Sequence, residues 1–493
     1  MEFKSSLEAK YFLNLQKVGF LKKRTLLLLI LFLERYFGAS ILLEMPSKLQ
    51  DIDPEIYPAI NLAHKMKGLG IIPSIKKSPK LPDEPFIHEF IFASPHVSSS
   101  AGADFLSEKR AIWKFLGEST ERFLWKTSDA FYLNKTKSSS FRDLPGEALD
   151  IFSLSGFSGS QKKNFEILHF DERTRFDWIK AHSLTSKKKL YCPVQLVSSK
   201  YHQEKVKSLK NTRKEEPMLQ WNISTGLATG RCLSEATVKG MLEIIERDAF
   251  MITYLNKLSA PTVSLSHLAK SDVDIARVLH NFQRYNLEVC IVKLPTDMPV
   301  CVYLATITDR SGLGPALTVG ASADFDAKKC ILDALSEAHC TRLFAKKHFF
   351  KEIDPEKLNF KGRVLYWAKK ENLPKISFLT EGKKIIIDVD KKRNFYDTLE
   401  NNSRILDRYY RKKLYFLTSE LKKKKYEAYF VELSSKKAKK LGFRCVKTVL
   451  PQFQPLHLDE RIPYFGGKRL QEIPLELGYE PTKEINRERH PFP

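Results

Sequence analysis

Apolar residues recur at helical spacing in several stretches of the chain, and short strand-like runs separate them. Helix-like spacing up to about residue 45 gives way to a segment punctuated by Pro46, Pro54, Pro58, Pro73, Pro79, Pro82 and Pro85, which resists long helices. A Ser/Gly/Ala segment, 98–103, precedes a pattern that predicts a helix from about Ser107 to Trp125. A second small-residue segment, Ser224 to Gly230, precedes a predicted helix from about Ser234 to Leu255, and a third helix is expected over about 326–349. Strands are expected at 190–197, 287–294, 300–308, 384–389, 413–418 and 426–433, with a Lys-rich connection at 199–217 and a Pro-rich, extended segment at 450–493. Helices alternating with strands imply a mixed α/β architecture. The expected division is a smaller N-terminal extension or peripheral unit, residues 1–95, followed by one catalytic-sized domain, 96–493.

The longest apolar run, Leu26 to Leu33, follows Lys22-Lys23-Arg24. Eight residues fall well short of the roughly 20 that cross a bilayer, so the run reads as a buried element and no membrane span is expected. Composition then narrows the class. Of 493 residues 43% are apolar, which excludes wholesale disorder. With 82 Lys+Arg against 58 Asp+Glu the net charge is +24, which raises nucleic acid, an anionic surface or a phosphate-bearing ligand as partners. The Lys runs at 187–189, 422–425 and 436–440 lack interleaved aromatics, so they read as solvated faces and not as a nucleic-acid motif. Seven cysteines without a CxxC pair exclude a disulfide framework or zinc ribbon and fit a cytoplasmic protein.

The informative chemistry is a repeated pentapeptide, Glu118-Ser-Thr-Glu121-Arg122 on the first predicted helix and Glu243-Ile-Ile-Glu246-Arg247 on the second. One copy is weak evidence, because Glu and Arg at helical spacing commonly form a solvent-facing ion-pair network. Helical geometry strengthens the pair. At 3.6 residues per turn, Glu235, Lys239, Glu243 and Glu246 fall within about 80°, and so do Arg110, Lys114, Glu118 and Glu121. The rest of both helices is strongly apolar, and carboxylates on a largely buried helix are costly unless a cation meets them. Two such helices facing each other would converge four carboxylates, a hard-oxygen set suited to Mg²⁺ and a nucleotide's phosphates. Arg122 and Arg247 would balance phosphate charge, and the small-residue segments would offer backbone N–H groups to phosphate oxygens. No Walker or kinase signature is present.

At this point the residues resemble a known family. Ser224-Thr-Gly-Leu-Ala-Thr-Gly-Arg-Cys-Leu-Ser-Glu-Ala, continuing to Met241-Leu-Glu-Ile-Ile-Glu-Arg-Asp-Ala249, is similar to the signature of the YcaO family. The segments Ser99 to Arg122, Trp178 to Leu184 with Cys192 to Val197, Gly320 to Arg342, and Pro451 to Leu470 resemble that family's other motifs, in its order, over about 96–493. The resemblance implies a mixed sheet-and-helix YcaO-type fold and ATP- and Mg²⁺-dependent activation of a peptide backbone amide. It implies magnesium ligation by Glu118, Glu121, Glu243 and Glu246, and nucleotide contacts from Arg122, Ser224, Glu235, Arg247 and Arg342. The family often has Asn where Arg231 stands, a departure at the nucleotide end of the site.

The ending Arg489-His490-Pro491-Phe492-Pro493 keeps the last PxP of the PxPxP ending typical of azoline-forming members, so it points to a cyclodehydratase that makes azolines from Cys, Ser or Thr of a ribosomally made precursor peptide. His457 and the carboxylate of Pro493 are the candidate proton acceptors. Residues 1–95 are short for the E1-like, leader-binding domain such enzymes use, so that partner is expected as a second polypeptide; a homodimer is a further option. The competing readings are a YcaO-type thioamide or amidine former, and a non-catalytic basic peptide- or nucleic-acid-binding protein on a degenerate YcaO scaffold.

Overall fold

The computed structural model describes residues 54–92, 100–127, 135–198, 201, 216–349, 360–389 and 403–492. The chain divides into a unit Met1–Tyr57 and a unit Pro58–Pro493, and the architecture below is that of the second. The apolar run Leu26 to Leu33 lies outside the described residues, as does Pro493.

Three sheets carry the fold. Strands β1 (Lys76–Lys77), β2 (His88–Phe92) and β3 (Ser100–Asp104) form an antiparallel three-stranded sheet, so strand pairing links the chain on either side of residue 95. A six-stranded sheet runs β4 (Lys137–Ser140), β5 (Arg175–Ser183), β13 (Tyr429–Glu432), β14 (Arg444–Val449), β7 (Leu227–Gly230), with β6 (Lys189–Pro193) also paired to β5. A five-stranded sheet runs β11 (Leu317–Asp324), β10 (Cys301–Thr308), β9 (Glu288–Lys293), β8 (Thr262–Val263), β12 (Lys384–Ile385), with β12 parallel to β8.

Helix α1 (Tyr57–Gly68) precedes the first sheet, and three long helices lie on strands rich in small residues: α2 (Glu108–Thr127) on β3, α3 (Leu233–Leu255) on β7 and β14, and α5 (Ala327–His348) on β11. Helix α3 also touches β11 and α7 (Ser403–Lys423), so it is shared between the two larger sheets. That position explains why nearly every one of its residues is buried, the pattern of an interior helix and not of an amphipathic surface one. By contrast α4 (Val273–Arg284) is amphipathic, burying Ile275, Val278, Leu279 and Phe282 and capped by Asp272. Glycine lets the helices lie flush on their strands. A Cβ at Gly102 would lie 2.1 Å from the Phe115 nitrogen, and one at Gly320 would lie 2.3 Å from the Ala338 nitrogen.

The three long helices and most strands fall where the pattern predicts, and the α/β class holds. The small-residue segments, however, are strands in large part and not loops. Residues 413–418, expected as a strand, lie inside α7, where Leu406, Tyr410, Leu417 and Leu421 are buried at helical spacing. A 21-residue helical period outweighs the short β-like run Leu414-Tyr415-Phe416. Of 384–389 only Lys384–Ile385 pairs, and 190–197 is strand only to Pro193 before a 3₁₀ turn.

Candidate active site

Helices α2, α3 and α5 present their polar faces to one recess. On α2, the Ala101 N–H donates to Glu118 Oε2 at 3.3 Å and Arg122 Nη2 donates to Glu118 Oε1 at 3.4 Å. On α3, the Gly226 N–H donates to Glu243 Oε2 at 2.9 Å, Arg247 Nη2 to Glu243 Oε1 at 3.4 Å, and Arg247 Nη1 to Glu246. Two of the backbone N–H groups expected to face phosphate are thus bonded to glutamates.

Electrostatics show that the two pentapeptides meet. Burial pushes the Glu121 carboxyl well above its usual range, and the Glu243 and Glu118 charges add to the push against Arg122. Burial raises Glu118 as well, opposed by Arg122 and the Ala101 N–H and reinforced by Glu243. Glu246 is pushed up to about 7 by burial, with Arg247 pulling the other way and Glu243 adding to the rise. Carboxylates brought this close resist simultaneous ionisation unless a cation joins them. The Nε atoms of Arg122 and Arg247 are buried without a hydrogen-bond partner, an unmet donor capacity that suits an anion.

Two expected nucleotide contacts border this cluster. Glu235 is buried, pairs with Lys239 at 2.8 Å and accepts the Arg231 N–H at 2.7 Å. Against burial, Lys239 and these hydrogen bonds hold its carboxyl below the usual range. Ser224 lies between Ile223 and Thr225, whose carbonyls accept hydrogen bonds from Lys447 Nζ at 2.5 and 2.8 Å. Burial lowers Lys447 to about 8 despite the Glu243 and Glu121 charges. Lys447 and Arg247 share the wall of a cavity of about 70 Å³ with Trp221, Asn222, Ile244 and Phe453.

Helix α5 supplies groups that sequence reasoning passed over. Glu337 is raised well above the usual range by burial, by Glu246 and by Asp333 and Glu243, with Arg247 opposing. Its side chain keeps accessible surface, yet the surrounding protein encloses it; a carboxylate on the inner wall of a recess meets both conditions. One turn earlier, Asp333 is held far below the usual range, against burial, by Lys114 at 2.7 Å and Lys329 at 2.9 Å. The available signal is a third strand–Gly–helix unit, Gly320 to Arg342, whose glutamate lacks the Glu-x-x-Glu-Arg spacing of the two pentapeptides.

Two further expected site residues are engaged by other partners. Arg342 is buried and fully engaged: it donates to Glu84 at 2.9 Å, to Asp309 at 2.8 Å and to the Pro315 carbonyl at 2.9 Å. Its guanidinium holds α5 to two other segments. His457 is buried with Nε2 2.9 Å from Glu460 and its carbonyl 2.7 Å from His490 Nε2. The segment 486–492 is docked, not loose. Arg489's carbonyl accepts from Tyr254 at 2.8 Å and Trp367 at 3.0 Å, Arg363 donates to the Phe492 carbonyl at 3.2 Å, and the Phe492 ring lies 4.1 Å from the Arg247 guanidinium. The expected acceptor at Pro493 lies outside the described residues. Among the described residues no helix is long and apolar enough to cross a membrane.

Comparison with known proteins adds to this geometry. Residues 105–454, more than half of the chain, match a family model described as YcaO cyclodehydratase, ATP- and Mg²⁺-binding. An uncharacterised protein of Methanothermobacter thermautotrophicus is 28% identical over 174 residues, 35% of this chain and 42% of that protein. Among solved structures, a heterocyclase in complex with substrate and cofactor superposes with TM-score 0.68 and 20% identity, covering 88% of this chain. YcaO from Methanopyrus kandleri bound with AMPPCP and Mg²⁺ gives TM-score 0.53 at 16% identity, covering 84% of this chain and 95% of that one. The Escherichia coli microcin synthetase McbBCD complex with pro-MccB17 bound gives 0.57 at 14%, covering 85% and 96%. At these identities the likeness is one of fold. The chain spans 57% of the heterocyclase and less than half of the archaeal relative.

Proposed function

Because the chain belongs to the YcaO family, a family of ATP- and Mg²⁺-binding cyclodehydratases, we propose that it activates a peptide backbone amide at the recess between α2, α3 and α5, forming azolines from Cys, Ser or Thr of a ribosomally made precursor peptide. One observation carries the reading: Glu118, Glu121, Glu243, Glu246 and Glu337 raise or feel one another's charge beside two arginines whose Nε donors are unmet. These residues fit Mg²⁺ and phosphate. Glutamate oxygens would hold the ion, which supplies charge neutralisation at the phosphates when bound.

The chain's own groups then divide the work. Arg122 and Arg247 face the phosphate charge, and Glu235 and Ser224 border it as acceptors for the nucleotide's hydroxyl groups. The substrate's thiol or hydroxyl would attack the preceding amide carbonyl, and the oxyanion left on the tetrahedral carbon would take the terminal phosphoryl group of ATP, releasing ADP. Departure of that oxygen as phosphate, with loss of the amide N–H proton, forms the C=N bond of the ring, so the peptide loses one water. Such a transfer asks the protein mainly for alignment and charge compensation. Lys447, lowered to about 8 by burial, can donate or hold a proton next to the cavity. A separate E1-like partner would hold the leader peptide, a proposal supported by the likeness to a subunit of the multi-protein McbBCD complex.

The test has two arms. Mg²⁺-dependent ATP binding is measured on the wild type and on Glu243→Gln, and product mass is read after incubation with ATP, partner and candidate precursor peptides. Loss of one water per ring, absent in the variant, is the expected result. Exchange of oxygen for sulfur with a sulfide source would make the protein a thioamide former. Polyanion binding with steep salt dependence and no ATP turnover would make it a binding protein.

A further inference from the structure

Outside the glutamate recess, His457, Glu460 and His490 each offer a ligand atom, and these atoms lie within 4.8 Å of one another. His457 and Glu460 follow β14, whereas His490 belongs to the docked segment 486–492. Both imidazoles are almost wholly buried, at 2% and 0% exposure. In each ring one nitrogen is fixed: His457 Nε2 by Glu460 at 2.9 Å, and His490 Nε2 by the His457 carbonyl at 2.7 Å. In each ring the other nitrogen, Nδ1, is buried with no hydrogen-bond partner. A hydrogen-bonded cluster with a purely structural role leaves these two buried imidazole nitrogens unmet, which is unfavourable for a buried polar atom. The ring nitrogens that face the carboxylate are the two Nε2 atoms, His457 Nε2 at 2.9 Å from Oε2 and His490 Nε2 at 3.9 Å from Oε1 of Glu460.

We propose that His457, Glu460 and His490 form a site for a zinc-class divalent ion that fastens the segment 486–492 to the segment after β14. Two imidazoles and one carboxylate suit Zn²⁺, with a fourth position left to solvent or a nearby carbonyl. Ligand bonds of about 2.0–2.1 Å require the three atoms to close by roughly 1–1.5 Å, within the reach of side-chain rotation. Burial, followed by the Arg363 charge, keeps the His490 ring neutral, the form that binds metal. Arg363 itself is met by Glu460 Oε1 at 3.1 Å, the Leu458 carbonyl at 2.8 Å and the Phe492 carbonyl at 3.2 Å, while Glu460 Oε2 lies 2.9 Å from His457 Nε2, so an ion would take the place of the proton between that oxygen and the ring. The consequence reaches the recess, because Phe492, two residues beyond His490, covers Arg247.

The site is independent of the reading above, and its test does not use ATP turnover. Full-length protein stripped with a chelator is titrated with Zn²⁺ in excess Mg²⁺, which occupies the glutamates. One equivalent is expected to bind, with affinity falling about 100-fold or more in His457→Ala and His490→Ala and unchanged in Glu243→Gln. Co²⁺ in the same site is expected to show ligand-field bands without thiolate charge transfer. No stoichiometric binding by the wild type, binding equal in both histidine variants, or a cysteine-type cobalt spectrum each overturns the proposal. Should the variants fail to fold, acylation of the wild-type imidazoles mapped by peptide mass decides: protection by Zn²⁺ supports the site, and equal labelling with and without it overturns it.

Discussion

Replacing Glu246 by glutamine should strengthen the metal-free protein while removing its response to Mg²⁺ and ATP. Glu246 is 7% exposed, and burial raises its pKa from an ordinary 4.5 to about 7. At 1.36 kcal/mol per pH unit that gap is worth roughly 3 kcal/mol. The sign follows from linkage. A carboxyl raised in the folded state contributes stability that is fully present below the unfolded value and lost as pH rises through the folded one. The wild type therefore loses this contribution between about pH 4.5 and 7, and glutamine, uncharged throughout, does not. Glutamine keeps an oxygen for the Ala323 N–H that Glu246 accepts, but it gives up the ion pair with Arg247, so the net gain falls somewhat below the full amount. Spread over the entropy of unfolding a unit this large, it corresponds to a rise of ~2–3 °C in Tm. Melting with a chelator at pH 8 should show the variant ahead, and near pH 4 the two should coincide. Added Mg²⁺ and ATP should raise the wild-type Tm and leave the variant unmoved. A variant less stable than wild type at pH 8 without metal, or one equally shifted by Mg²⁺ and ATP, would refute the placing of strained carboxylates around a cation.

Arg342→Ala should cost ~3–5 kcal/mol, because it strands the buried Glu84 and Asp309 carboxylates; nucleotide affinity measured on the folded fraction should be unchanged, and a selective loss of affinity would restore its expected role at the nucleotide. Gly320→Ala places a Cβ 2.3 Å from the Ala338 nitrogen, so α5 must lift from β11; Tm should fall by an amount equivalent to ~1–3 kcal/mol, and ATP turnover should fall more steeply because Glu337 moves with the helix.

Much of the site was legible because its chemistry is periodic. The spacing of Glu118, Glu121 and Arg122, repeated at Glu243, Glu246 and Arg247, puts each set on one helix face whatever the surroundings, and the apolar remainder of each helix implies burial. Glu337 escaped because its helix carries one glutamate beside an aspartate that Lys114 and Lys329 neutralise; no spacing rule separates such a residue from a surface charge. Arg342 sits in a matching motif, yet its partners Glu84 and Asp309 are 258 and 33 positions away, a distance in sequence that no local reading bridges. The strand expected at 413–418 failed for the opposite reason, as a short β-like run inside a longer helical period.

The sequence alone determined the two carboxylate helices, the alternation of strands and helices and the family, since each is written in local periodicity and motif order. Its +24 charge pointed toward polyanions, whereas the recess is built from a minority of acidic residues. Only the tertiary structure decided that three helices meet there, that the small-residue segments are strands pressed against those helices, and that His490 and Phe492 are buried against residues far from them in the chain. Those outcomes depend on contacts between distant segments, where burial and neighbouring charge, and not residue type, set what a side chain can do.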